Sequence, residues 1–193
     1  MSERFYFIIR QIPNALTLGR IGLTPFIVIS LNKTPPDLRG AFFLFILAAL
    51  SDFLDGFVAR RGGSESSLGA FLDPLADKVL MISLFTFLTW KGFLPLLLTV
   101  AVCLRDVAIM LGVLLLKNAG KPLEMRPLFV SKLNTTLQMV LIGVVLLRGD
   151  HHKAGIEMIV FQWVIGLTFV TTILSGFSYG RQGWRLWQKN LPL

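Results

Sequence analysis

Six apolar segments, each close to the length needed to cross a bilayer, dominate this sequence of 193 residues. A helix needs about 20 apolar residues to cross the hydrocarbon core of a membrane. We place the segments at about 15–31, 39–60, 67–90, 92–116, 129–148 and 156–178, with polar breaks between them. Hydrophobic residues make up 54% of the chain, which is above the average of soluble domains and indicates a membrane protein. The pattern predicts an all-α integral membrane protein with six transmembrane helices in a single domain, residues 1–193.

Basic residues predict how these spans are oriented. If the N-terminus is inside, the inner segments hold twelve Lys and Arg residues and the outer segments hold five. The positive-inside rule then places both termini in the cytoplasm. Residues 3–11 carry apolar side chains at helical spacing, and we predict a short interfacial helix there. The alternative is that this stretch extends the first span. Because the chain shows no recognisable presequence, we expect a bacterial inner membrane.

The net charge, the single cysteine and the two histidines indicate which kinds of ligand the chain can bind. A formal net charge of +8 in so apolar a chain indicates loops that face anionic lipid or phosphate-bearing ligands. No nucleic-acid-binding motif accompanies this charge. The single cysteine, Cys103, excludes an intrachain disulfide. His151 and His152 lie in a predicted outer loop, where a solvated pair is a better interpretation than a metal site.

Aspartates inside the spans are the feature that points to function. Five of the seven aspartates fall within predicted spans: Asp52, Asp55, Asp73, Asp77 and Asp106. Each costs several kcal/mol at the centre of a membrane helix unless it is paired, hydrated or coordinated. Asp106 follows Arg105 directly, and a structural ion pair accounts for it as well as a functional role does.

The other four aspartates form two pairs. Asp52 and Asp55 are three residues apart and Asp73 and Asp77 are four apart, so each pair shares one helix face. A short loop joins the two spans. Each pair lies near the end of its helix that is next to this loop. We therefore expect the two acidic faces to meet. Four carboxylates in one place repel unless a cation is present, and oxygen ligands alone favour Mg²⁺, Mn²⁺ or Ca²⁺ over zinc.

Small residues accompany these acids. Gly56, Ala59 and Gly69 lie within a turn or so of the aspartates. Tight helix packing is one explanation for them. Beside a metal cluster, room for a nucleotide or pyrophosphate is the other. Divalent cations bridge phosphate oxygens and neutralise a leaving group, so the residues predict metal-dependent phosphoryl chemistry at the cytoplasmic membrane face.

The spacing of these residues resembles the signature of the CDP-alcohol phosphatidyltransferases. The matching positions are Asp52, Asp55, Gly56, Ala59, Arg60, Gly69, Asp73 and Asp77. The resemblance implies two divalent cations, Mg²⁺ or Mn²⁺, held by the four aspartates. It implies CDP-diacylglycerol as the donor, with Gly56, Ala59, Arg60 and Gly69 around its nucleotide. It also implies that Asp77 acts as the general base toward the acceptor hydroxyl, and that the chain forms a homodimer.

Two branches of this family are similar to the chain. Residues 12–28 resemble both the phosphatidylglycerophosphate synthases and the cardiolipin synthases, whereas residues 104–113 and 126–138 look closer to the cardiolipin synthases. The glycerophosphate branch is identified by a Gly-Lys-x-Lys-Thr arrangement. Here the corresponding residues are Ser131, Lys132, Leu133, Asn134 and Thr135, with one lysine.

Three functional hypotheses follow from these observations. The first is a cardiolipin synthase that joins CDP-diacylglycerol to phosphatidylglycerol and releases CMP, with Lys132 and Arg105 as candidates for the acceptor phosphate. The second is a phosphatidylglycerophosphate synthase with sn-glycerol 3-phosphate as acceptor. The third is a membrane transporter or scaffold without enzymatic activity, since intramembrane acids also mark ion pathways. Acids clustered at one end of their helices favour the enzymes.

Overall fold

The computed structural model of the chain describes residues 19–62, 67–119, 129–148 and 156–188, without the side chains of residues 52–74, 117 and 156. All regular structure in these ranges is helical, which confirms the all-α prediction. The first helix, α1, covers residues 19–32 of the described part. The others are α2 (Leu38–Gly62), α3 (Ser67–Trp90), α4 (Leu96–Asn118), α5 (Phe129–Arg148) and α6 (Ile156–Gln188).

The helix ends agree with the sequence where polar breaks are sharp. Both α3 and α5 have the predicted bounds, and α2 differs from its predicted span by one or two residues at each end. The predicted end of the last span, residue 178, is wrong for the helix, because α6 continues for ten further residues. Its 33 residues would measure about 50 Å, longer than a bilayer core of about 30 Å. The predicted interfacial helix at 3–11 lies outside the described residues.

The exposed surface of the helices is that of a membrane protein. Among the described residues, three helices are long and apolar enough to cross a bilayer, namely Leu96–Leu116, Phe129–Arg148 and Glu157–Gln188, and α2 contributes a shorter apolar stretch, Leu38–Ser51. Large apolar side chains face outward on them. Phe43 on α2 is 71% exposed and Trp163 on α6 is 74% exposed. Such a surface requires lipid around it.

The chain divides into two compact units. The first contains α1, α2, α3 and the last residues of α5 from Val145. In it, α2 buries Ala41, Phe45 and Ala48, which lie on one face of the helix, and α3 buries a row spaced by four residues, Ala76, Leu80, Leu84 and Leu88. These rows are the inward stripes of helices packed in a bundle.

Arg20, one of the twelve cations that we counted on the inner side, lies in α1 and is only 1% exposed. The Thr24 hydroxyl, one turn later on the same face, donates to the Arg20 carbonyl at 3.0 Å. Ile27 and Leu31 continue this buried face. Arg20 therefore belongs to the buried face of α1 in the first unit.

The second unit contains α4, α6 and α5 up to Val144. In it, α4 packs against α6. Leu98 and Val102 of α4 and Leu141 and Ile142 of α5 are fully or almost fully buried. Buried polar side chains accompany this apolar core, and they are described with the candidate site.

The loop between α1 and α2 ends in a helix cap. Asp37 directly precedes α2, and its Oδ1 accepts a hydrogen bond from the Gly40 backbone N–H at 2.8 Å. Lys33 donates to its other oxygen at 3.2 Å. These two hydrogen bonds, that of Gly40 first, lower the pKa of Asp37 below its ordinary value of 3.8. A methyl group at Gly40 would approach the Asp37 carboxylate to 2.6 Å, so the cap requires a small residue there.

We expect Asp37→Ala to lower the apparent Tm at pH 7, because the first turn of α2 loses its cap. A depressed carboxyl pKa contributes stability above the unfolded-state value, and this contribution is lost as pH falls through the folded-state value. The difference in Tm between wild type and variant should therefore shrink below pH 3.8. Thermal unfolding in detergent, followed by circular dichroism, measures it. Asp37→Asn keeps a capping oxygen and should show an intermediate Tm with no such pH dependence. A gap that is equal at pH 7 and pH 3 would contradict the assignment.

Candidate functional site

The two predicted acidic pairs lie on consecutive helices of the first unit. Asp52 and Asp55 belong to α2, and Asp73 and Asp77 belong to α3. Because both segments are helical throughout, spacings of three and four residues keep each pair on one helix face. The side chains of Asp52, Asp55 and Asp73 lie outside the described residues, as do those of Gly56, Ala59, Arg60 and Gly69. Asp77 is described, and it is partly exposed.

The predicted metal site can be tested here only by the chemistry of its donors. The part of the chain with described side chains holds no group of three His, Cys, Asp or Glu residues able to bind a metal. It contains only Asp77 of the four predicted ligands. The set as a whole is four carboxylates, and oxygen-only sets fit Mg²⁺ or Mn²⁺. The donors therefore fit the cation that the sequence predicts, and the site stays a prediction.

A buried ion pair joins Arg105 and Asp106 on α4. Arg105 is 6% exposed and Asp106 is 0% exposed. The Nη1 group of Arg105 donates to Asp106 Oδ1 at 2.5 Å. The structural pairing that we weighed for Asp106 is thus present. Its opposite charges cancel within the span, which lets α4 keep an apolar character.

The same guanidinium links all three helices of the second unit. Arg105 Nη2 donates to Ser131 Oγ of α5 at 2.5 Å and to Ser175 Oγ of α6 at 2.7 Å. Its Nε also reaches Ser175, at 3.2 Å. The guanidinium carbon of Arg105, Cζ, lies 5.9 Å from the centre of the Tyr179 ring. Arg105, predicted to bind the acceptor phosphate, therefore already has protein partners for most of its donors, and any acceptor contact would use what remains.

A second polar contact lies one turn further along α5. Asn134 is fully buried, and its Oδ1 lies 3.0 Å from the Thr171 hydroxyl and 2.8 Å from the Thr172 hydroxyl of α6. Each threonine also lies within hydrogen-bond distance of a backbone carbonyl one turn earlier. The single hydroxyl proton of Thr172 therefore has two acceptors in reach, and that of Thr171 has three, because the Thr168 carbonyl also lies 3.1 Å away.

Gln138 continues the polar face of α5. It is fully buried, and among the residues that the structure describes neither its amide nitrogen nor its amide oxygen has a hydrogen-bond partner. Asn134 Nδ2 likewise has none within this part of the chain. The residues Ser131, Asn134 and Gln138 thus form a polar row on one side of an otherwise apolar helix.

This network was not predicted from the sequence. Its signal was nevertheless readable, since the polar residues of α6, which are Thr168, Thr171, Thr172 and Ser175, recur at helical spacing within an apolar span. Lys132, the other predicted acceptor ligand, is exposed on α5 beside this row. His151 and His152 lie outside the described residues, and Cys103 is a half-buried thiol in α4.

The long apolar helices indicate a protein that crosses the membrane more than once. Its polar groups are two acidic pairs on α2 and α3 and a hydrogen-bonded network on α4, α5 and α6. The model of the CDP-alcohol phosphatidyltransferase family matches residues 10–174. The chain belongs to the CDP-alcohol phosphatidyltransferase family. The resemblance inferred from the aspartate pattern is thereby confirmed.

Relatives come from both branches that the sequence suggested. The human cardiolipin synthase (CMP-forming) is 34% identical over 188 residues, covering 89% of this chain and 61% of the human protein. The CDP-diacylglycerol–glycerol-3-phosphate 3-phosphatidyltransferase of Bacillus subtilis is 29% identical over 191 residues, covering 90% of this chain and 95% of that protein. A cardiolipin synthase (CMP-forming) of Streptomyces coelicolor is 36% identical over 115 residues, covering 58% and 54%. The chain thus spans 61% of the length of its human relative.

We expect substitutions of the two buried amides to differ in their effect on stability. Asn134→Leu removes the acceptor shared by two threonines and should lower the free energy of unfolding by about 1 kcal/mol, within the range for hydrogen bonds between membrane helices. Gln138→Leu removes an amide that has no hydrogen-bond partner among the described residues, and it should be neutral or stabilising. Unfolding in mixed micelles would measure both. A larger loss for Gln138→Leu than for Asn134→Leu would mean that a bound water or ligand satisfies the Gln138 amide.

Proposed function

We propose that this chain transfers the phosphatidyl group of CDP-diacylglycerol to phosphatidylglycerol, producing cardiolipin and CMP. The observation that carries the proposal is the complete acidic pattern from Asp52 to Asp77, placed on two consecutive helices of a chain that belongs to this family. The proposal includes two divalent cations, a homodimer, and both termini with the active site on the cytoplasmic face.

The acceptor is argued from two residues of α5. The glycerophosphate branch resembles this segment but has a glycine and a lysine where this chain has Ser131 and Asn134. Both departures have contacts of their own here, since Ser131 accepts from Arg105 and Asn134 accepts from two threonines. A neutral, fully buried amide replaces a cation at the second position. The segment therefore offers less positive charge than a small dianionic acceptor would require, which supports a lipid acceptor with one phosphate.

In the proposed reaction, the terminal hydroxyl of phosphatidylglycerol attacks the phosphorus that carries diacylglycerol. A new oxygen–phosphorus bond forms, the bond from that phosphorus to the oxygen of CMP breaks, and CMP leaves. Asp77, partly exposed on α3, accepts the hydroxyl proton at a carboxylate oxygen. Divalent cations held by Asp52, Asp55, Asp73 and Asp77 would supply charge neutralisation on the pyrophosphate oxygens.

Groups around the substrates have proposed roles that follow their position. Gly56, Ala59, Arg60 and Gly69 border the nucleotide. Lys132 is exposed and can reach an acceptor phosphate from the start of α5. Arg105 holds Ser131, which is next to Lys132, and thus positions this part of the acceptor site even where it makes no direct contact.

The second candidate is phosphatidylglycerophosphate synthesis from sn-glycerol 3-phosphate. One observation favours it: the Bacillus subtilis relative matches over 95% of its own length, whereas the human cardiolipin synthase matches over 61%. Identity is higher with the human protein, at 34% against 29%. This higher identity, and the neutral Asn134 where the glycerophosphate branch has a lysine, make phosphatidylglycerol the preferred acceptor.

The acceptor is decided by incubating the purified full chain with labelled CDP-diacylglycerol and each acceptor in turn, in Mg²⁺. We expect CMP release and cardiolipin with phosphatidylglycerol, and little product with sn-glycerol 3-phosphate. Addition of a chelator should stop the reaction, and Mg²⁺ or Mn²⁺ should restore it. Product from sn-glycerol 3-phosphate alone would establish the second candidate. No CMP release with any alcohol would favour a transporter or scaffold.

Substitution of the aspartates separates the general base from the ligands. General-base assistance contributes about 10²–10⁴-fold in rate. Asp77→Asn should lose activity on that scale and still bind CDP-diacylglycerol in Mg²⁺, whereas Asp52→Asn should weaken both activity and binding. Equilibrium binding of the donor to each variant is the measurement. If Asp77→Asn cannot bind the donor, Asp77 is chiefly a ligand and the proton has another acceptor.

A further inference from the structure

The buried face of α1 carries a charged residue in its first described turn. Arg20, Thr24, Ile27 and Leu31 recur at spacings of four, three and four residues, and each is at most 6% exposed. This is the inward stripe of a helix packed in a bundle. The other cations of the first unit whose side chains are described are exposed or half-buried. A buried arginine is tolerated only with negative charge beside it, which the interior of this unit must supply.

The buried face of α2 changes from apolar to acidic along the helix. Ala41, Phe45 and Ala48 form its apolar part. Asp52 lies seven residues after Phe45, and Asp55 lies seven residues after Ala48. A spacing of seven residues, about two turns, returns to the same helix face. Both aspartates therefore occupy positions on the inward stripe, toward the C-terminal end of α2.

The buried face of α3 shows the same change at its N-terminal end. Leu80 and Leu84 belong to its buried row. Asp73 and Asp77 precede them by seven residues each and so occupy the same face. Only four residues separate α2 from α3, and so short a connection joins antiparallel neighbours. The acidic parts of both stripes therefore lie at one end of the first unit.

The register of the helices places Arg20 close to this acidic end. At the other end of the unit, the Asp37 backbone N–H donates to the Ser30 carbonyl at 2.9 Å, so the end of α1 meets the start of α2. From that contact, Arg20 lies ten residues along α1 and Asp52 fifteen residues along α2, or about 15 and 22 Å. Asp77 is level with Asp52, since each is ten residues from the nearer end of its helix at the α2–α3 connection.

Side-chain direction reduces the remaining difference of about 7 Å along the helix axes. A side chain on a helix leans toward the N-terminus of that helix. For Arg20 this is the direction of the acidic end, and arginine has one of the longest side chains. Its guanidinium therefore belongs at the level of Asp52 and Asp77.

Charge favours the same arrangement. Four carboxylates on inward stripes repel one another when no cation is bound, and a single buried guanidinium is costly as well. Each makes the other tolerable. A unit positive charge beside the carboxylates also repels an incoming divalent cation.

We propose that Arg20 is the resident counter-ion of the two acidic pairs, a positioning residue that neutralises part of their charge before a divalent cation binds. The proposal deepens the proposed function, and it rests on the acidic site described there. Arg20 has two effects on that site. It stabilises the carboxylates while the site is empty, and it lowers the affinity of the site for divalent cations.

Thermal unfolding in detergent, in a chelator and in Mg²⁺, tests the first effect. Arg20→Gln keeps a polar side chain without the charge, and Arg20→Lys keeps the charge. Thr24→Val is the matched control, since Thr24 lies on the same stripe one turn later and is 6% exposed. We expect Arg20→Gln to lower Tm in the chelator and Mg²⁺ to restore most of the loss, because the cation replaces the missing charge.

The controls separate charge from packing. Arg20→Lys should respond to Mg²⁺ as wild type does, and Thr24→Val should lose the same Tm in both conditions. An equal loss for Arg20→Gln in chelator and in Mg²⁺ would overturn the proposal, because it describes a merely structural arginine. If Arg20→Gln is recovered in neither condition, Arg20→Gln combined with Asp77→Asn takes its place. Recovery of that double variant supports the pairing, and its failure contradicts it.

Mn²⁺ binding, followed by electron paramagnetic resonance without donor or acceptor, tests the second effect. Arg20→Gln should bind Mn²⁺ at least about tenfold more tightly than wild type, a factor that Coulomb repulsion over several ångströms gives even at the dielectric constant of water. Thr24→Val should bind as wild type does. Equal or weaker binding by Arg20→Gln would show that Arg20 is not beside the cation.

A double-mutant cycle in chelator tests the pairing without any cation. Asp77→Asn should lower Tm in wild type and should raise it, or lower it less, in the Arg20→Gln background. Asp37→Asn, at the opposite end of the first unit, should have the same effect in both backgrounds. Additive effects of Arg20→Gln and Asp77→Asn would overturn the proposal.

The same measurements distinguish this proposal from the proposed function. If wild type binds no Mn²⁺, the cation part of the proposed function fails, and the double-mutant cycle alone decides whether Arg20 pairs with the acids. If wild type binds Mn²⁺ but transfers no phosphatidyl group, the transfer reaction fails and the Arg20 result is unchanged, because no measurement here uses a substrate.

Discussion

The Arg105–Asp106 ion pair is the interaction on which the second unit depends. Two charges buried in a membrane span are tolerated only when each has a partner and the remaining donors are used. Asp106 accepts one hydrogen bond from the guanidinium, and the hydroxyls of Ser131 on α5 and Ser175 on α6 accept three more. Removing either charge would break this ion pair inside the span. The positions of Ser131 and Ser175 follow from this requirement.

Local pattern was sufficient for most of the helices and for this ion pair. Polar breaks set the ends of α3 and α5, and Arg105 and Asp106 are neighbours in the chain. The end of α6 was missed because residues 179–188 combine Arg and Trp with glycines, a composition typical of an interface rather than of a span.

Contacts between helices distant in sequence could not be predicted in this way. Asn134 meets Thr171 and Thr172 across 37 and 38 residues, and that contact depends on how far α5 and α6 slide past each other. Sequence spacing indicates the helix face on which a residue lies. It does not indicate which residue of a neighbouring helix lies at the same level along the helix axis. For the candidate site, spacing was enough to predict the two acidic pairs, and the chemistry of carboxylates then predicted the cation. The polar row of α5, in contrast, could be recognised only from the contacts that α5 makes with α4 and α6 in the folded second unit.

Arg105 connects stability with recognition in this unit. A guanidinium on a flexible stem loses side-chain entropy when it binds an anion, and that loss weakens affinity. Here Asp106, Ser131 and Ser175 already fix its position, and Gly176 lets α6 pack against its stem. The entropy is therefore lost on folding, before any anion binds. The ion pair that makes α4 tolerable in a membrane thus also fixes the guanidinium that we predicted to contact the acceptor phosphate.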